Sequence, residues 1–265
     1  MALDFDGSAD FAVSLPNVQV GNGTIAGWIN ADALPASTDR DVICTFFRSI
    51  ETEQFTTHDK QLYLNSAGIL KARIYDGGVK TVASTSAVST GTWHHVAMTI
   101  DGTNFRVWLD GANEGSMSAG ASYTGYDTPK FAICGLPAAL DDGESTRTRL
   151  NGKIAEFCIW DAALTTGEMG ALASGAAPVM VRPSSIVGYW PLMLGGERPI
   201  GGADELTLTS SPPKSNHPRI IMPSAQVLQF PQPAAPTGRV MSSLAKNGGL
   251  AGKGGIAGKG GGLAG

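Results

Sequence analysis

After Glu205 the sequence holds no acidic residue, and charge is scarce throughout: Asp, Glu, Lys and Arg make up 16% of the 265 residues, against roughly 25% in an average soluble domain. Ser, Thr, Asn and Gly must therefore supply most of the polar cover. Long Ala/Glu/Lys/Leu-rich stretches are missing, which excludes a helical bundle. No apolar run reaches the roughly 18 residues that a membrane span needs. Met1-Ala2-Leu3-Asp4-Phe5-Asp6 has neither a basic n-region nor an apolar h-region, so the expectation is a chain made and left in the cytosol. Cysteine is limited to Cys44, Cys134 and Cys158. Odd in number, widely spaced and set beside Ile or Phe, these fit buried free thiols rather than a disulfide or a metal site. A net charge of −4 argues against nucleic acid as the main partner.

Glycine and proline are plentiful, with 35 and 15 residues, as expected of short strands joined by many turns. Eleven of the prolines fall between Pro178 and Pro236, and ten glycines fall within 247–265. Three zones follow: 1–175, where strand patterns are dense; 176–243, a Pro-rich extended arm whose first part completes the sandwich; and 244–265, a Gly-rich tail. Residues 1–205 carry a net −10 and the remainder +6. In the first zone Thr24-Ile25-Ala26-Gly27-Trp28-Ile29 reads as a strand. Val96, Met98 and Ile100 share a face, Asp101-Gly102-Thr103-Asn104 turns the chain, Phe105-Arg106-Val107-Trp108-Leu109 returns, and Asp110-Gly111 turns it again. Ile154 to Trp160 is a further strand, and Trp28, Trp108 and Trp160 are expected to stabilise one sandwich. Thr165 with Glu168 three positions on makes a capping box for one short helix through Met169 and Leu172, ended by Gly175. The prediction is an all-β sandwich with a single helix.

Three segments resemble the laminin-G-like, concanavalin A-like lectin jelly roll. Leu3-Asp4-Phe5-Asp6-Gly7 followed by Thr24 to Ile29 is similar to its opening strands. Trp93-His94-His95-Val96-Ala97 with Val107-Trp108-Leu109-Asp110-Gly111 is similar to its central hairpin. Leu150-Asn151-Gly152-Lys153-Ile154-Ala155-Glu156-Phe157 through Glu168 is similar to its closing strand and helix. The resemblance spans 2–175 and implies the fold more than the function, since lectins, adhesins, hydrolase modules and structural proteins share it. Val187-Gly188-Tyr189-Trp190-Pro191-Leu192 before a Pro-rich arm also resembles jelly-roll proteins of tailed bacteriophages.

Catalytic patterns are absent. Glycosidases of this fold need two glutamates on one strand face, and no Glu-x-Asp-x-x-Glu occurs; Asp141-Asp142-Gly143-Glu144 reads as a solvated turn. His94 and His95, adjacent on a strand, point to opposite faces and cannot share one ion. No Gly-x-Ser-x-Gly elbow or phosphate loop is present, so the expectation is no enzyme and no cofactor. Calcium is the one metal that the resemblance admits, with Asp4, Asp6 and Asp10 near the start. For glycan stacking the best loop is Tyr123-Thr124-Gly125-Tyr126-Asp127, giving Tyr123, Tyr126 and Asp127 as candidates.

The tail repeats every six residues, a period that fits three residues per turn or an extended strand but not 3.6. Leu244, Leu250, Lys253, Ile256, Lys259 and Leu263 recur as regularly placed anchors for assembly. Together these features predict a bacteriophage virion structural protein, assembled in the host cytoplasm. Its lectin-like jelly roll would be held by arm and tail to other virion proteins and copies of itself, with host-surface glycans as a further partner. The alternative is a free carbohydrate-binding or calcium-dependent lectin module.

Overall fold

The computed structural model of the chain describes residues 2–14, 21–36, 40–51, 54–75, 78–120, 130–134, 147–192, 206–209 and 212–221. The chain divides into two units, Met1–Ser224 and Ala225–Gly265, and every described residue belongs to the first.

The strands in chain order are β1 (Ala2–Asp6), β2 (Phe11–Ser14), β3 (Gly23–Ala31), β4 (Arg40–Glu51), β5 (Gln54–Asn65), β6 (Ile69–Tyr75), β7 (Val79–Ala87), β8 (His94–Ile100), β9 (Asn104–Leu109), β10 (Ala112–Ser118), β11 (Lys130–Ile133), β12 (Arg147–Arg149), β13 (Asn151–Trp160), β14 (Ile186–Trp190), β15 (Leu206–Thr209) and β16 (Lys214–Ser215). The single described α-helix, α1 (Thr166–Ala173), lies between β13 and β14. Sheet A runs β10-β9-β8-β3-β13-β1-β16, with β14 also paired to β13; sheet B runs β15-β2-β11-β4-β5-β6-β7, with β12 paired to β4. The β3–β8 and β4–β5 ladders are antiparallel, while β12 lies parallel to β4. This is a two-sheet jelly roll.

Alternation along each strand sorts side chains between faces. Ile25, Ile29, Val96, Met98, Phe105 and Val107 of sheet A meet Phe46, Leu62, Leu64, Leu70 and Ile74 of sheet B in the core between the sheets. Phe131 centres an aromatic group there, its ring centroid 5.0 Å from Phe46, 5.3 Å from Phe157 and 5.5 Å from Trp190. Gly27 is glycine because a Cβ at this position would stand 2.7 Å from the Phe157 ring. The hairpin joining β9 to β10 turns on Asp110 and Gly111, at φ 49° and 83°, as a two-residue turn with both centres left-handed requires.

A second apolar cluster lies on the outer face of sheet A. Ala26, Ala97, Trp108, Cys158 and Trp160 point outward and are covered by Leu164, by Met169 and Leu172 of α1, and by Val181 and Tyr189. Each large side chain buried this way contributes roughly 1.5–3 kcal/mol. The capping box is present, with Thr165 Oγ1 accepting from Glu168 N and Glu168 accepting from Thr165 N. All three cysteines are buried and free. Trp28, Trp108 and Trp160 lie on β3, β9 and β13 of the same sheet, on its outer face and not between the two sheets. Trp108 and Trp160 are 3% and 0% exposed beneath α1, Trp28 is only partly buried, and Trp190 fills the space between the sheets.

The stretch after α1 contributes to both sheets. β14 pairs with the second half of β13, β15 extends sheet B beside β2, and β16 caps β1. His217 follows, its Nε2 2.9 Å from Oε1 of Glu156, and Ile221 bridges Ala176. Glu156 sits in a break of register in β13, at φ 54°, with its carboxylate fully buried. Tyr189 donates its hydroxyl hydrogen to that carboxylate.

Candidate functional site

On sheet A, α1 covers only one end of the outer face. Beyond it lie two outward-facing cross-strand rows, in which Trp28, Asp4 and Lys153 are partly exposed while Ala155, His95 and Asn30 are buried. Ala155, Trp28 and His95 stand in register across β13, β3 and β8, and Asp4, Lys153 and Asn30 across β1, β13 and β3. The local cause is the β3 pattern: Ile25, Ile29 and Ala31 face the core, so Ala26, Trp28 and Asn30 face outward. Trp28 is partly exposed, as is Trp93, which precedes His95 by two residues and continues its face by alternation. The rings of Trp28 and His95 meet edge to face at 5.4 Å.

The polar groups around this platform are unevenly satisfied. Asn30 Oδ1 and His95 Nδ1 are buried and find no hydrogen-bond partner among the described residues. Burial pushes the His95 imidazole down to about 4, against a smaller upward pull from Asp110, so the ring is neutral at neutral pH. Lys153 Nζ lies 2.7 Å from both carboxylate oxygens of Asp32 and 3.6 Å from Asp4. Burial works to lower its pKa, but the bond to Asp32 and the charges of Asp4 and Asp32 hold it above the ordinary value. The arrangement presents an aromatic face edged by acceptors, which suits a ligand with an apolar ring face and hydroxyl donors.

On sheet B, Thr45, Gln61, Arg73 and Thr81 form an outward row across β4, β5, β6 and β7. Thr45 Oγ1 and both amide atoms of Gln61 are buried without a hydrogen-bond partner among the described residues. Arg40 lies 5.2 Å over the Tyr63 ring beside them. Thr45 and Gln61 are 0% exposed and Arg73 2%, no more open than Ala155 at 0% and His95 at 2% on sheet A; the sheet A rows differ in that Trp28, Asp4 and Lys153 are partly exposed.

One arrangement was not expected from sequence. Ser89 Oγ lies 2.8 Å from His94 Nε2, and His94 Nδ1 lies 2.8 Å from Asp110 Oδ2, the order of nucleophile, base and orienting carboxylate. Acyl transfer also needs N–H donors aimed at the oxyanion. The N–H of Ser89 instead points at the same Nε2, at 3.2 Å, and that of Gly91 goes to the Ala31 carbonyl. Asp110 in turn accepts from His95 N at 2.9 Å. The set ties the 88–93 loop to the Asp110-Gly111 turn.

The early aspartates are engaged by local hydrogen bonds and one ion pair. Asp6 accepts from the N–H groups of Ser8, Ala9 and Asp10 and from the Ser8 hydroxyl. The Ser8 N–H first, then its hydroxyl, hold the Asp6 carboxyl well below the usual range. Asp10 accepts from Asp6 N, and Asp4 faces Lys153. Among the described residues no group of three or more His, Cys, Asp and Glu side chains could hold a metal. Tyr123, Tyr126 and Asp127 lie outside the described residues, as do Leu244, Leu250, Lys253, Ile256, Lys259 and Leu263. Sequence reading missed His95 as the ring partner of Trp28, and Asn30 and Lys153 as the neighbouring outward row. The available signal was that Trp28 alternates with the apolar Ile25, Ile29 and Ala31, which sets it on the outward face.

The sequence profile of a family described as the concanavalin A-like lectin/glucanases superfamily matches residues 5–169. Among solved structures, the fold is similar to that of a Bacteroides ovatus protein provisionally described as carbohydrate binding: TM-score 0.56, 18% identity, 79% of this chain and 59% of that one. It is also similar to the CBM40 module of the Ruminococcus gnavus IT-sialidase bound to α2,3-sialyllactose: TM-score 0.51, 14% identity, 65% and 96% covered. The mouse laminin α1 chain domains LG4-5 match at TM-score 0.48 and 21% identity, over 63% of this chain and 43% of that one. No curated protein sequence matches the chain.

Proposed function

The chain belongs to the concanavalin A-like lectin/glucanases superfamily, and from that premise we propose that it is a carbohydrate-binding module without catalysis of its own, which takes sugar on the Trp28 face of sheet A. The observation that carries this reading is a partly exposed tryptophan flanked by buried, unpartnered polar atoms of Asn30 and His95. An unpaired buried acceptor costs about 1–3 kcal/mol, a cost that a ligand hydroxyl relieves. The pyranose C–H face would lie on the indole, and its hydroxyls would reach Asn30 and the Asp32–Lys153 edge. One similar structure holds sialyllactose and another is provisionally described as carbohydrate binding, which agrees with this reading. Glycan-array and calorimetric binding by the full chain test it. Trp28→Ala is expected to weaken binding at least tenfold, the loss of one central aromatic anchor. Binding to no glycan, or binding that ignores this substitution, overturns the reading.

A second reading, a virion structural protein anchored by its C-terminal region, is favoured by the −10 and +6 division of charge and the six-residue period of the tail. The two readings are compatible, since an anchored subunit can display a sugar-binding face.

A further inference from the structure

Resting on the sugar-binding reading, we infer that the Trp28 face selects neutral sugars, binds them without a metal, and turns away carboxylated or sulfated ones. Among the described residues of this outer face, Lys153 and Arg106 are each engaged by a carboxylate. Lys153 Nζ is held at 2.7 Å by both oxygens of Asp32 and at 3.6 Å by Asp4. Arg106, at the far end of the sheet, is held by Asp101 at 2.6 Å. Recognition of a carboxylate or sulfate draws on Arg or Lys donors that can be given to the ligand. Here two carboxylates surround one ammonium, so the edge of the site carries a net negative charge and repels an acidic group. Among the described residues the Asn30 carbonyl oxygen is unpartnered beside them, and burial keeps the His95 ring uncharged. An acceptor-rich rim beside an aromatic platform asks for hydroxyl donors, and a neutral hexose supplies them. Both carboxylates are turned to Lys153, and among the described residues no group of three or more His, Cys, Asp and Glu side chains could hold a cation. The likeness to the sialyllactose-bound module is one of fold alone, at 14% identity.

Calorimetry with the full chain tests this, using neutral oligosaccharides matched to their sialylated and sulfated derivatives, with and without a chelator. Each neutral member that binds is expected to bind at least tenfold tighter than its acidic derivative, with the chelator changing nothing. Asp32→Asn removes the nearer of the two carboxylates on Lys153, leaving Asp4 at 3.6 Å, and is expected to reduce that preference to about threefold or less. Acidic derivatives that bind as tightly as the neutral ones, in a manner lost in Trp28→Ala, overturn the inference and leave the sugar-binding reading standing. Loss of binding with the chelator overturns its metal-free part. Glycan binding unaffected by both Trp28→Ala and Asn30→Ala overturns the site itself. Unfolding midpoints of the three variants separate lost binding from lost fold.

Discussion

Trp28 and Trp160 occupy the same outer face of sheet A, yet α1 covers only the second. Trp160 is 0% exposed and donates its indole N–H to the Val181 carbonyl at 2.9 Å, so Trp160→Ala is expected to cost roughly 3–5 kcal/mol. Trp28→Ala is expected to cost less than half of that, and chemical denaturation of the two variants decides; equal losses would mean that Trp28 is a core residue and not a platform. His95 makes a second prediction. Its native pKa of about 4 lies below the ordinary 6.5, so the unfolded chain takes up a proton first as pH falls. Its contribution is complete above about pH 6.5 and drains away down to about pH 4, a loss of about 3 kcal/mol at ~1.4 kcal/mol per unit. His95→Gln should flatten the stability profile across that window, and an unchanged slope would show that the dependence comes from elsewhere. The outward placement of Trp28 was legible from β3 alone. The burial of His95 was not, because it depends on neighbouring strands.

At the scale of elements, α1 was the most legible, since a capping box is a local device written in four residues. Thr165→Ala should cost about 1 kcal/mol, read as a lower unfolding midpoint, with no effect at all counting against the cap. Glu168 also holds Arg182 at 2.9 Å through two contacts, so Glu168→Ala should cost more than the cap alone. The Asp110-Gly111 turn was equally legible. The break of register at Glu156 was not, for a buried carboxylate in a strand makes sense only once Tyr189 and His217 arrive from 33 and 61 residues further on. His217→Ala leaves that carboxylate to Tyr189 alone and is expected to cost about 1–3 kcal/mol; a change under about 0.5 kcal/mol, within the ordinary range for surface substitutions, would show that the contact holds nothing. Limited proteolysis after residue 205 should accelerate in the same variant.

The whole molecule divides between what local pattern can declare and what it cannot. Alternation at Val96, Met98 and Ile100 identifies a half-buried strand, and the order of such strands with glycine turns points to a jelly roll. Which edges β15 and β16 would find was not readable, because two- and four-residue strands have too little pattern of their own. Ordering a glycine-rich tail costs about 1–2 kcal/mol per residue, so the proposed assembly role needs partner chains to offset it. Removing 244–265 should leave the unfolding midpoint unchanged and abolish self-association or incorporation into a particle, measured by native mass spectrometry; unchanged assembly would assign attachment to the arm. The sheet order also sets a timetable for synthesis. β1 pairs on one side with Asn151 to Ile154 and on the other with Lys214 and Ser215. At about 5–20 residues per second, roughly 10–40 s separate the emergence of Leu3 from that of its last partner. For that interval the edge of β1 that will take Lys214 and Ser215 stays open after its other edge has met β13, so a nascent sheet exposes an unpaired strand edge until almost all of the fold has been synthesised.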